Sequence, residues 1–231
     1  MSKEDIKEFW EKQSSKRNIS HNSISNLESS SALSDLKIQI EKDVVMKQFT
    51  DIASKECKVL DLGAGSGQWA FRFSQFTKEV HLVEFSEGML NLAKNNYLHH
   101  EPKNCFFYLE DAQSFLIEEQ FDLIWISGLL IYLEDKELDQ LLGNCSKMIK
   151  DSGQILLRDG TALKDRYEIR NKYSESLKLN YSAIYRTKDE YIKRFNKWGF
   201  SIKFHSDMFE ENSPLNKWKE TRLRIYNFKK E

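Results

Sequence analysis

From residue 57 onward the chain alternates short apolar runs with longer segments in which apolar residues recur every three or four positions. The runs 57–62, 79–84, 104–109, 121–127 and 153–158 have the length and composition of buried strands, and the segments 67–76, 86–97 and 134–150 carry helical periodicity. Within 134–150 the residues Leu138, Leu141, Leu142, Cys145, Met148 and Ile149 form one stripe, and Asp151-Ser152-Gly153 supplies the turn after it. After the third strand only a short helical turn fits. This order of elements predicts an α/β fold with a doubly wound, mostly parallel sheet. Beyond the fifth strand the alternation breaks: residues 160–186 form an insertion dense in Arg and Tyr. A helix over 187–198, a strand over 200–207 and a last strand over 219–228 then close the chain, with Met208 to Leu215 as a connecting loop. Upstream, Ile6, Phe9, Trp10 and Gln13 share a helical face. The stretch Ser20 to Ser34 is polar, and Leu33, Leu36, Ile40, Val44, Val45 and Phe49 recur at helical spacing. The predicted organisation is a helical N-terminal segment, 1–54, and a main domain, 55–231.

The run Val59-Leu60-Asp61-Leu62-Gly63-Ala64-Gly65-Ser66-Gly67 takes an apolar strand into three alternating glycines at the start of a helix. Such a loop lets main-chain N–H groups close on a ligand at the carboxyl end of the strand. The next strand, Val80 to Val83, ends in Glu84, 23 positions after Asp61. In a βαβ unit an acid at that tip lies beside the first loop, placed to accept hydrogen bonds from both hydroxyls of a ribose.

Composition narrows the field. The 231 residues suit one domain of the larger sort, and a formal charge of −1 gives no global field toward nucleic acid or an anionic membrane. Cys57, Cys105 and Cys145 stand far apart, as small reduced core residues would. His21, His81, His99, His100 and His205 show no ligand spacing, so no metal is expected, and His81 within a strand is read as structural. The charged N-terminus lacks a signal-peptide core, and the longest apolar stretch, Phe121 to Leu133, is shorter than a membrane span. A cytoplasmic protein, monomeric or homodimeric, is the expectation.

The glycine pattern D/E-x-G-x-G-x-G, matched at every position, resembles the class I S-adenosylmethionine (SAM) dependent methyltransferases. A dinucleotide fingerprint would require glycine where Gln68 stands. The resemblance covers about residues 55–160 and implies a Rossmann-like, seven-stranded sheet whose last strand is antiparallel, with SAM as cofactor. Asp61, Gly63, Ala64, Gly65 and Gly67 would then face the methionine end and Glu84 the ribose. Phe85 would lie against the adenine. Asp111 would accept from the adenine amine while the Ala112 N–H donates to the ring, and Ser127 would leave room for the methionine moiety. Asp111 equally suits a helix N-cap, and Ser127 a turn. The N-terminal segment would be a lid over the cofactor, Trp10 and His21 shaping it, or a helix pair that merely caps the sheet.

Methyl transfer needs an acceptor held in line and water excluded. After the fourth strand the chain has Ser127-Gly128-Leu129-Leu130 rather than the N/D-P-P-Y of base-amine methyltransferases, which disfavours nucleic acid. Where many small-molecule members place a His, Leu130-Ile131-Tyr132-Leu133 offers Ile131. Asp159 and Tyr132 are the candidates for a catalytic role, Asp159 as a base or merely orienting Arg158 or a tyrosine. Arg158, Arg166, Tyr167, Arg170, Tyr181, Tyr185 and Arg186, with Trp10, would bind a small polar or anionic acceptor, since Arg forks grip carboxylate or phosphate and Tyr orients polar groups. The alternative is a solvated surface helix. Arg158-Asp159-Gly160-Thr161 and Tyr181-Ser182-Ala183-Ile184-Tyr185-Arg186-Thr187 are similar to runs in small bacterial methyltransferases of surface polysaccharides. That similarity implies O-methylation of a sugar, phosphoramidate or phosphate-type group. An amino-sugar N-methyltransferase, a SAM-binding partner subunit without activity and, further off, a nucleotide-dependent oxidoreductase are the competing readings.

Overall fold

The computed structural model describes residues 3–15, 31–174 and 179–231; His21 and most of the polar stretch Ser20 to Ser34 lie outside them. The five predicted parallel strands form: β1 (Lys58–Leu62), β2 (Glu79–Glu84), β3 (Cys105–Leu109), β4 (Phe121–Ser127) and β5 (Ile149–Ala162). They lie in the order β3-β2-β1-β4-β5. The chain reverses direction of travel across the sheet between β1 and β4, so the ends of these two strands open a crevice, the usual ligand position in open α/β sheets. Their registers place Asp61 opposite Trp125 and Ser127 opposite Arg158.

Two helices precede the sheet, α1 (Lys3–Ser14) and α2 (Ser31–Thr50), and four follow: α3 (Gln68–Ser74), α4 (Glu87–Tyr97), α5 (Asp135–Met148) and α6 (Lys188–Lys197). Side chains alternate across each strand, so every strand feeds two cores. Val59, Val80, Leu82, Leu123, Trp125 and Leu156 pack with Val45 and Phe49 of α2 and Phe73 of α3. Leu60, Leu62, Ile124, Ile126, Ile155 and Leu157 pack on the opposite side with the stripe of α5 and with Tyr191 and Phe195 of α6. The stripe ends one residue earlier than its periodicity suggested, because Ile149 already belongs to β5.

The insertion is neither irregular nor helical. It is an antiparallel pair, β6 (Tyr167–Ser174) and β7 (Leu179–Thr187), and β7 joins the top of a lengthened β5 through Thr161 and Ala162. The last strand, β9 (Thr221–Lys230), runs antiparallel to β5 and to β8 (Phe200–Asp207), as expected. The sheet therefore has nine strands among the described residues rather than seven, the extra two coming from the insertion. Met208, Phe209 and Leu215, in the loop between β8 and β9, are buried in the α2/α3 core. Cys57, Cys105 and Cys145 are free thiols. His81 is buried, its Nδ1 paired with the Tyr108 hydroxyl at 3.0 Å and its ring stacked on Phe106. Among the described residues no helix is long and apolar enough to cross a membrane.

Candidate functional site

The glycine loop follows from the strand that feeds it. β1 is buried on both faces and must turn sharply to start α3, and Gly63, Gly65 and Gly67 all take positive φ, 76°, 56° and 82°. At Gly67 a side chain is doubly excluded, since a Cβ there would come within 2.5 Å of the Phe71 ring. The loop is tied to the second strand by its amides: Gly63 and Ala64 N–H donate to the Val83 carbonyl at 2.9 and 3.0 Å. Glu84 completes the tie, its Oε2 accepting from Gly65 N–H and its Oε1 from Ser86 N–H, each at 2.9 Å.

Above this loop lies a cavity of about 350 Å³. Asp61, Gly63, Ala64, Gly65, Glu84, Phe85, Asp111, Ala112 and Ser127 line it, as do Trp10, Tyr132 and Arg158. Gly67 does not line it; its part is to start α3. Asp111 faces the cavity, and its Oδ1 accepts from Gln113 N–H at 3.2 Å in a turn; no helix forms directly after it, so it is not a helix N-cap.

Two carboxylates beneath the cavity are buried, Asp61 at 2% and Glu84 at 5% exposure. Burial pushes the Asp61 carboxyl up to about 8, with the Glu84 charge adding to the effect. Burial likewise raises Glu84 to about 7 against the pull of its backbone hydrogen bonds. A site holding two such acids favours a ligand that brings donors or positive charge. Asp61 Oδ2, Gln113 Oε1, Trp125 Nε1 and Arg158 Nε, all on lining residues, are buried without a hydrogen-bond partner in the protein. Buried polar atoms are normally satisfied, so these four mark where a polar ligand would make its bonds.

The acceptor residues divide. Arg158 is at the cavity wall, its Nη1 donating to Ser127 Oγ at 3.1 Å and its Nη2 to Glu41 of α2 at 2.5 Å. Asp159 is not at the wall, because consecutive strand residues point to opposite faces. Its carboxylate is wholly buried on the α5/α6 side, where it accepts from Gly160 N–H, Ile131 N–H and the Tyr191 hydroxyl. Burial raises its pKa to about 7.

Arg166, Arg170 and Arg186 also miss the cavity. Arg186 is fully buried, donating to the Leu130 and Leu133 carbonyls and to Asp135. Arg166 is shared by Asp135, Glu168 and Glu190, and Arg170 by Glu134 and Glu168. Tyr167, Tyr181 and Tyr185 stand behind Tyr132: the Tyr181 and Tyr185 hydroxyls lie 3.1 Å apart, the Tyr132 ring meets Tyr181 edge-on, and Tyr167 packs on Tyr185. The predicted anion site of the insertion is therefore an internal ion-pair and tyrosine cluster that braces the 3-10 turn Leu130–Tyr132.

Several lining residues escaped the sequence reading: Ile6 from α1, Lys37, Ile38 and Glu41 from α2, Trp69, Met89, Gln113, Trp125, Glu134 and Glu137. Trp125 was findable, being two residues before Ser127 and so on the same face of β4. The α2 residues carry no local signal, because only the tertiary fold brings them over the crevice.

The comparisons agree with this geometry. Residues 59–153 match the methyltransferase domain family. Phosphoethanolamine N-methyltransferase 1 of Zea mays is 30% identical over 157 residues, covering 66% of this chain and 29% of that protein. The malonyl-[acyl-carrier protein] O-methyltransferase of Bacillus anthracis is 28% identical over 106 residues, or 45% of this chain and 38% of that one. The chain thus spans well under two thirds of the length of these curated relatives. Among solved structures, phosphoethanolamine N-methyltransferase 1 of Haemonchus contortus, in complex with phosphoethanolamine and S-adenosylhomocysteine (SAH), superposes with a TM-score of 0.73 at 19% identity. It covers 97% of this chain and 48% of that one. The DhpI–SAH complex gives 0.68 at 15% identity, covering 98% and 95%. The fold is the Rossmann-like fold of these enzymes, and the methyltransferase-domain match spans residues 59–153.

Proposed function

We propose that this protein transfers the methyl group of SAM to a small polar acceptor that enters the cavity between α1, α2 and the turn Leu130–Tyr132. The observation that carries this reading is the continuity of one cavity from the glycine loop and Glu84 to Trp10, Glu41, Tyr132 and Arg158. SAM when bound supplies an activated methyl on a sulfonium leaving group. Asp61 and the loop would hold the methionine end, Glu84 the ribose, Phe85 the adenine face, and Asp111 with Ala112 and Gln113 the adenine edge. Ile6 and Trp10 of α1 with Ile38 and Glu41 of α2 would act as the lid that excludes water.

On the acceptor, the oxygen-directed reading extends to sugar, phosphoramidate or phosphate-type groups of surface polysaccharides. Its support is the pair of sequence runs at 158–161 and 181–187, and the engagement of Arg166, Arg170 and Arg186 by carboxylates weakens the anionic part of it. A nitrogen acceptor gains from the acids on the cavity wall, Glu41, Glu134 and Glu137, beside the aromatic rings of Trp10 and Tyr132, although Arg158 and Arg170 already engage the first two. Such a wall suits an amine-bearing molecule. The named functions of the relatives, one N-methyltransferase and one O-methyltransferase, are compatible with either atom.

Release of SAH from SAM against a panel of small amines, sugars and anionic oxygen acceptors tests the proposal. At saturating SAM an amine acceptor gives a rate that rises with pH through the amine's pKa, whereas an anionic oxygen gives a flat profile. SAM binding without turnover on any acceptor would instead mark a non-catalytic partner subunit.

A further inference from the structure

The mid-sheet residue Trp125 is an unusual occupant of its place. It is fully buried, packed against Trp69 and Phe73, with ring centroids at 5.3 and 5.5 Å, and its indole N–H has no partner although it belongs to the cavity wall. An indole nitrogen is a donor only, so an acceptor must come from the ligand or from water. On the neighbouring strand its register partner is Asp61, whose Oδ2 is an equally buried acceptor without a partner. The two atoms are not bonded to one another. A group that joins them must donate to one and accept from the other, as the α-ammonium and α-carboxylate of an amino acid do. On the same face, Arg158 presents a third partnerless atom, Nε, while its other nitrogens are fixed by Ser127 and Glu41.

We infer that Trp125 is a recognition residue for the amino-acid end of the cofactor, its indole N–H donating to the α-carboxylate while Asp61 takes the α-ammonium and Arg158 adds positive charge beside the carboxylate. This goes beyond the reading of the cavity as a SAM site, and rests on it. It also moves Arg158 from acceptor binding toward cofactor binding.

Calorimetry with SAH, with its decarboxylated analogue and with 5′-methylthioadenosine, on the wild-type protein and on Trp125→Phe, separates the possibilities. The expected result is a loss of roughly tenfold in SAH affinity for Trp125→Phe, with the decarboxylated analogue bound equally by both proteins. Unchanged SAH affinity in the variant, or the same loss for all three ligands, overturns the inference. Failure of the wild-type protein to bind any of the three overturns the cofactor reading itself. Because the ring also fills core volume, a second measurement uses the wild-type side chain. In the indole N–H spectrum, with the Trp10, Trp69, Trp198 and Trp218 signals identified by their own Phe variants, the remaining signal should move on adding SAH and stay in place with the decarboxylated analogue. Movement with both, or with neither, contradicts the assignment.

Discussion

Asp61 and Glu84 set the chemistry of the cavity residue by residue. Their carboxyls are raised to about 8 and about 7 in the folded chain, chiefly by burial. The unfolded chain would release these protons near the ordinary carboxylate range of about 4. Their contribution to stability is therefore complete below that range and lost as pH climbs through about 7 for Glu84 and about 8 for Asp61. An ammonium and ribose hydroxyls favour the ionised forms, so the cofactor competes with protons. SAH affinity should rise roughly tenfold between about pH 6 and pH 8.5, and the thermal upshift produced by SAH should grow in parallel. Affinity that does not change over this window would show that neither acid meets the ligand. Replacing Glu84 by Ala should weaken SAH binding by about 1.5 to 3 kcal/mol, the range for charge-assisted hydrogen bonds, in calorimetric titration. Asp159 behaves differently. Because it fastens the Ile131 amide and Tyr191, Asp159→Asn should lower the melting temperature while leaving the shape of the pH–rate profile unchanged. A lost acidic limb in that profile would restore it as a general base.

Among the elements, the hairpin β6/β7 and the turn Leu130–Tyr132 are held together by Arg186. Its guanidinium is wholly buried and satisfies two carbonyls of the turn together with Asp135 at the start of α5. Removing it leaves buried acceptors unpaired. Arg186→Ala should therefore cost about 3 to 5 kcal/mol in denaturant unfolding. Arg170, half exposed between Glu134 and Glu168, should cost under about 1 kcal/mol when replaced by Ala, and should leave the acceptor's KM unchanged. A large KM effect at Arg170 would bring back an anion site in the insertion. These elements also show where the sequence was legible. The parallel strands were, because burial on both faces leaves continuous apolar runs, and so was the loop, because positive φ at three alternating positions leaves little but glycine. The hairpin's two-residue alternation of Tyr181, Ala183 and Tyr185 was present but masked by the charges around it. The fate of its arginines was not legible: their partners Glu134 and Asp135 lie at the start of α5, tens of residues earlier, and meet them only through the topology. Asp159 was misplaced for a simpler reason, since strand alternation forbids Arg158 and Asp159 from facing the same cavity.

For the whole molecule, an open sheet positions a crevice at the switch between β1 and β4, and helices from outside the sheet cover it. α1 touches α4 through Glu11, whose carboxylate accepts from Gly88 N–H at 2.9 Å, and α2 reaches β5 through Glu41 and Arg158. The two helices are thus pinned on both sides of the cavity. Everything proposed for the acceptor presupposes that the strand tips grip a sulfonium nucleoside. Isothermal titration of the protein with SAM and SAH at about pH 8.5 tests this most directly. The account predicts saturable binding of both at one site per chain, weakened by Glu84→Ala. Absence of binding to either compound, or binding indifferent to that substitution, would contradict it.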